Sequence, residues 1–145
     1  MNFFPAIWNV LHDGRIVALQ GEVPGTIRFH VSIDYLRKRF SDPGETIEVT
    51  LNNCTSFAYQ DDGSNEFTTD LPAIVATEPE ILSAEMRGNT SVIRCVGGTL
   101  ETSASDGSIM LDSARAITLQ ELIDVSESYW TEWSQVARQA RQESP

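Results

Sequence analysis

At Thr118 the hydrophobic residues of this chain change their spacing, and that change limits the fold more than any other feature. Before it, apolar positions alternate with polar ones or come in short runs cut by Gly, Pro, Asn and Asp; after it, they recur every third or fourth residue. Period two marks a strand with one buried face, and period 3.6 marks an amphipathic helix. The expectation is an α+β chain: a mainly antiparallel β-sheet or partly open barrel of about eight short strands, capped by one long C-terminal amphipathic helix. The β-rich part covers 15–117 and the helix 119–142, within one domain spanning 1–145.

Ile27, Phe29, Val31 and Ile33 alternate with Arg28, His30 and Ser32, and the segment before them reads as a partner strand closed by a type II turn at Pro24-Gly25. Asp34 to Phe40 breaks the alternation, which predicts a short helical turn capped by Asp34. Ile47, Val49 and Leu51 mark a third strand, and Phe57 with Tyr59 a fourth, with a turn at Asn52-Asn53 between them. The run LPAIVA, residues 71–76, is too short to assign by periodicity. Gly88-Asn89, Gly97-Gly98 and Asp106-Gly107 then separate four stretches that predict four strands in meander order.

The final helix carries its own start signal. Thr118-Leu-Gln-Glu121 matches the reciprocal capping pattern in which a threonine hydroxyl and a glutamate carboxylate each satisfy a free amide. Stepping 100° per residue, Leu119, Leu122, Ile123, Ser126, Trp130, Trp133, Ala137 and Ala140 fall on one stripe, with Glu121, Asp124, Glu127 and Glu132 opposite. Core packing on the sheet is the expected role of Trp130 and Trp133. A helix of that length runs to ~36 Å, beyond the ~17–20 Å of an ordinary strand, so its last turns are expected to overhang. There Ala137 and Ala140 would admit a second copy, making a homodimer.

A chain of 145 residues buries roughly 68–70% of its unfolded surface, enough for a core without staples. Cys54 and Cys95 form no CxxC pair and only His12 and His30 accompany them, so no zinc site, no other metal and no cofactor is expected; both cysteines read as reduced interior thiols. The N-terminus lacks the charged and apolar regions of a signal peptide, and no run of about eighteen apolar residues occurs, so no membrane association and a cytoplasmic location are expected.

Ten basic residues against twenty-one acids give a net charge of −11. That balance repels nucleic-acid phosphate and anionic lipid and favours a basic protein partner. Arg37-Lys38-Arg39 is the sole basic island, too small for a committed nucleic-acid binder and read as a solvated turn that pairs with the protein's own acids. Residues 60–85 hold seven acids, Asp61, Asp62, Glu66, Asp70, Glu78, Glu80 and Glu85, and no basic residue. Without local counter-charge they must be exposed, and with the acid-rich segment 99–137 they are expected to make one negative hemisphere. Asp61 to Glu66 has oxygen ligands but not the spacing of a calcium loop.

His30 and Cys54 match a thiol–histidine pair in residue type alone, with no elbow or signature around Cys54, so no catalytic residue is assigned. The expected function is a non-enzymatic, small acidic binding protein that engages a basic partner, in the manner of a toxin-neutralising immunity protein or an accessory subunit. The seven acids are its candidate contacts. The alternative is a small-ligand binder or enzyme using a pocket at the barrel mouth, with His30, Cys54 and Tyr59 as its polar groups.

Overall fold

The computed structural model describes residues 2–143. Nine antiparallel strands and four helices build an α+β fold that ends in a long helix. β1 (Arg15–Gly21) and β2 (Gly25–Ser32) form the expected hairpin, with Ile27, Phe29 and Val31 buried on one face. The turn differs from expectation. Gly25 takes the expected positive φ, but so does Gly21, and the Glu22 amide donates to the Thr26 carbonyl at 3.3 Å, so the connection is a longer loop than a type II turn centred on Pro24-Gly25. Ahead of the hairpin, α1 (Ala6–Val10) lays Trp8 flat on Phe29, with ring centroids 5.0 Å apart and planes 5° from parallel.

α2 (Asp34–Arg37) begins at Asp34 itself, with Ile33 in the cap position and no side-chain cap bond. Asp34 therefore contributes charge to the first turn and does not cap it. β3 (Thr46–Cys54) buries Ile47, Val49 and Leu51, and β4 (Ser56–Asp61) buries Phe57 and Tyr59. The expected turn at Asn52-Asn53 is absent: β3 runs through both residues, and Thr55 alone separates it from β4.

α3 (Leu71–Ala76) is the run that periodicity left unassigned; Pro72 is accommodated in its first turn and Ile74 is its buried contact. β5 (Glu80–Arg87), β6 (Thr90–Val96) and β7 (Gly98–Ser103) follow as a meander. β8 (Asp106–Leu111) leaves the meander, because β7 pairs with β4 and β8 pairs with β3. At the shared bend, the Thr55 amide donates to the Ser103 carbonyl at 2.8 Å and the Ser105 amide to the Asn52 carbonyl at 3.0 Å. β3–β4 and β7–β8 are thus two strands of one bent ribbon. With β9 (Ala116–Ile117), the strand order is β4-β7-β6-β5-β1-β2-β3-β8-β9. β1 and β5 meet only at Arg15 and Glu80; beyond that contact the Asn9 side-chain amide takes up the Ala84 N–H at 2.8 Å and the Ala84 carbonyl at 3.1 Å, covering the edge of β5.

α4 (Leu119–Glu143) starts as the sequence predicts: the Glu121 amide donates to Thr118 Oγ1 at 3.0 Å and the Thr118 amide to Glu121 Oε1 at 3.2 Å. Leu122 is fully buried, worth roughly 1.5–3 kcal/mol. Further along, α4 lies against α1 and α2. Trp130 stacks on His12 at 5.4 Å and meets Tyr35 at 5.6 Å. The expected packing of both tryptophans on the sheet is replaced by this helical seat for Trp130, while Trp133 is 55% exposed and Val136 65% exposed. Periodicity defines the apolar stripe but not how far a surface extends beneath it.

The basic island pairs with the protein's own acids as expected, through Arg37–Asp112 and Arg39–Glu132, but only Lys38 and Arg39 are solvated. Arg37 is 2% exposed, and its guanidinium donates to Asp112 Oδ1 from Nε at 2.9 Å and from Nη2 at 2.7 Å, and also to the carbonyls of Thr46, Asp42 and Pro43. Asp112 Oδ2 accepts the Glu45 and Thr46 amides. Gly44, at φ +152°, sits against both side chains where a Cβ would collide. Burial by itself would raise the Asp112 carboxyl, but the two amides and Arg37 outweigh it and hold it at about 2.

Asp112→Ala strands a buried guanidinium, with an expected loss of about 3–5 kcal/mol in urea unfolding near neutral pH. Because the folded carboxyl ionises below its unfolded value of about 3.9, the unfolded chain binds the proton first. The contribution of about 2 kcal/mol is complete above about pH 5 and drains as pH falls through about 2, and Asp112→Asn should remove that part of the acid dependence.

Candidate binding surface

β4 is the terminal strand of the sheet, and its outer edge is only half covered. The Tyr59 amide donates to the Thr68 carbonyl at 2.9 Å and the Thr68 amide returns to the Tyr59 carbonyl at 2.8 Å. In an antiparallel pair, successive residues turn their peptide groups alternately toward and away from the neighbouring strand. Since Tyr59 points outward to Thr68, Phe57, two residues back, also points its N–H and C=O away from β7. There the covering chain has left β4 to enter α3, and a notch of about 460 Å³ remains between Glu22–Val23 of the hairpin tip and Thr69 and Leu71.

The loop from Asp61 to Asp70 stays outside because its carboxylates have nothing to pair with in the interior. The Ser64 amide donates to the Asp61 carbonyl at 3.0 Å and the Gln60 side-chain amide to the Ser64 carbonyl at 2.8 Å, which turns the chain back along β4. Extending the Tyr59–Thr68 register sets Asp61 opposite Glu66. Phe67 stands 44% exposed between Glu66 and Asp70, and Val23 is 38% exposed at the hairpin tip. Among the described residues no ion pair reaches Glu22, Asp61, Asp62, Glu66 or Asp70; Arg94, in the cross-strand row Arg94–Thr99–Gln60, makes none with them.

The other three candidate acids lie elsewhere. Glu78 meets Arg15 at 3.8 Å, Glu80 is opposite Arg15 in register, and Glu85 meets Arg87 at 3.1 Å. The segment 99–137 is likewise interrupted: Asp112 is held by Arg37, Glu121 by Arg115 at 3.9 Å, and Glu132 by Arg39 at 2.6 Å. Arginines thus neutralise part of the expected negative hemisphere, at Glu78, Glu85, Asp112, Glu121 and Glu132, whereas the four acids of 61–70 carry no ion pair among the described residues. The apolar residues of this flank, Phe67 and Val23, were not singled out from the sequence. The available signal was an aromatic residue in a breaker-rich acidic loop with no alternating partner.

On α4, Trp130 belongs to an aromatic cluster in which Tyr35 and Tyr129 are 4.7 Å apart and the Arg39 guanidinium lies 5.3 Å over Tyr129. The Tyr35 hydroxyl donates to the His12 carbonyl at 2.7 Å, and burial, then the charge of Asp13, raises its ionisation far above the ordinary range. Ala137 is half-buried and Ala140 exposed, in the overhang beyond this cluster.

The barrel-mouth reading is not brought together. His30 is opposite Glu48 in the β2–β3 register, six residues along β3 from Cys54, a separation of roughly 20 Å. His30 Nδ1 is 3.3 Å from Thr46 Oγ1, whereas the Cys54 thiol donates inward to the Ser56 carbonyl at 3.2 Å. A larger cleft, about 830 Å³, lies at the ribbon bend between Phe3 and Phe4 on one wall and Asn53, Ser105 and Asp106 on the other, and includes none of His30, Cys54 or Tyr59. Among the described residues no group of three or more His, Cys, Asp and Glu side chains is placed to hold a metal ion, and no helix is long and apolar enough to cross a membrane.

Comparison with protein-family models, with curated proteins and with solved structures finds no match for this chain.

Burial pushes the Cys95 thiol up to about 12 and raises Cys54 as well, against weaker hydrogen bonds that lower them. Neither thiol should react with an aromatic disulfide reagent at about pH 8 in the native protein, and both should react in guanidinium. Thiol titration checks this; rapid native labelling of either would show that it is reachable.

Proposed function

We propose that this chain is a non-enzymatic binding protein that engages a basic protein partner through the flank of β4. The observation that carries the reading is the company Phe67 keeps: an exposed aromatic residue among Asp61, Asp62, Glu66 and Asp70, none of them ion-paired, beside an incompletely covered strand edge. Exposed aromatics ringed by charge are the usual anchors of protein interfaces, and unneutralised carboxylates raise the encounter rate with a cationic surface. Two buried, unpaired thiols suit a reducing compartment and so support a reading in which the partner is met in the cytoplasm.

Pull-down from native lysate at about 50 and about 500 mM salt, with Phe67→Ala and with Asp61→Asn/Asp62→Asn/Glu66→Gln in parallel, tests the reading. A stoichiometric basic protein should be retained at low salt, weakened at high salt, and reduced at least roughly tenfold by each variant. Equal capture by wild type and both variants would sink it.

A second reading is favoured by Trp133, which continues the apolar stripe of α4 past its support, and by Val136, exposed beside it on the next turn. Here a second copy covers Trp133, Val136, Ala137 and Ala140, while Trp130 keeps its seat on His12. Two surfaces of net charge −11 repel, so such a homodimer should strengthen with salt, the opposite of a basic partner. Mass measurement by sedimentation, before and after truncation at Ala137, should show a dimer that truncation abolishes; a monomer at every salt concentration would remove this reading.

A further inference from the structure

We propose that the notch beside Phe57 accepts an extended, basic segment of another protein as an added strand on β4. This deepens the proposed function and rests on it: it names the mode of engagement at the same flank. The backbone supplies the first argument. Between the bend at Thr55 and the bridge at Tyr59 the outer edge of β4 is open for about four residues, ~13 Å of strand. Phe57 directs one N–H and one C=O into that opening, and residues 66–68 already run antiparallel to β4 in the lane that leads to it. Thr69 and Leu71 depart from the lane as the chain turns into α3, so a segment entering the notch would take the place they vacate.

Side chains around the opening define what would enter. Val23 and Leu71 make apolar walls, suited to small or β-branched residues pointing alternately into the notch. Glu22 stands at the hairpin rim, and Asp61, Asp62, Glu66 and Asp70 follow along the flank, with no arginine paired to any of them. Lys or Arg at alternate positions would meet this rim. A second copy of the same edge would not, because edge-to-edge pairing would bring these carboxylates against their own images. The chemistry therefore selects a cationic strand from a different protein.

Amide exchange and peptide binding, followed by heteronuclear NMR on the full chain, test the proposal. In the free protein the Phe57 amide should exchange at least roughly tenfold faster than the Tyr59 amide, which Thr68 holds. A capped peptide alternating Lys with Val and Thr should shift the Phe57 resonance and slow its exchange. The same peptide N-methylated at its central residue should bind roughly tenfold more weakly, and a Glu-for-Lys version should not bind. Equal binding of the N-methylated peptide with unchanged Phe57 exchange would overturn strand addition while leaving a charge-steered surface intact. Absence of binding by the Lys peptide at low salt would also overturn it, and the lysate pull-down would then report separately on a folded partner. Binding of the Glu peptide as tight as that of the Lys peptide would overturn the selection for a basic segment.

Discussion

β3 and β4 are separated by Thr55 alone, yet they occupy the seventh and first places in a nine-stranded order, and no flat sheet meets both conditions. Six strand spacings amount to roughly 29 Å, whereas a single linking residue spans about two Cα–Cα steps of 3.8 Å. The sheet must curl until its ends approach, and the parallel crossing of β7 into β8 holds the curl with hydrogen bonds on both sides of the bend. Closure is incomplete. β1 and β5 meet through one residue pair, the Asn9 amide stands in for a strand along β5, and β4 is left at the rim with part of its edge unpaired. The partly open barrel and the candidate surface are thus two consequences of one topological constraint.

Charge is distributed by the same folding. Arginines reach acids from other elements: Arg37 to Asp112, Arg39 to Glu132, Arg115 to Asp42 and Glu121, Arg15 to Glu78. Only the first is buried and central to stability; the exposed pairs, screened by solvent, contribute little. Their larger effect is on the field, which they cancel locally. The loop 61–70 receives no such partner among the described residues, so its four carboxylates keep their charge uncancelled.

The capping pair Thr118–Glu121, the alternation of β2 and β3 and the hydrophobic stripe of α4 were legible because each rests on contacts between residues close in sequence. The bend at Thr55 was not, because Asn52-Asn53 has the composition of a reverse turn, and the pairing of β3 with β8 decides otherwise. That Arg37 pairs with an acid of the protein was expected, but its burial was not, because its partner, Asp112, lies in the connection between β8 and β9, beyond any local window. Within the candidate surface, exposure of the acids followed from charge alone. Which of them share a face with Phe67, and which meet an arginine, depended on the order of strands in the sheet.

An unpaired strand edge is a hazard that folded proteins blunt with charge, cover or a bridge to the next segment. Two of these devices occur along β4: Thr68 bridges Tyr59, and exposed carboxylates flank the edge. If protection were the sole purpose, lysines would serve as well as acids, and nothing would call for an exposed phenylalanine among them. Charge of one sign repels like edges and at the same time attracts the opposite sign, so on the proposed reading a rim that prevents self-pairing would also select a partner. Phe67, 44% exposed, would then add what charge lacks, a contact that survives screening by salt. On that reading protection and recognition are the same arrangement of residues, distinguished only by what approaches the edge.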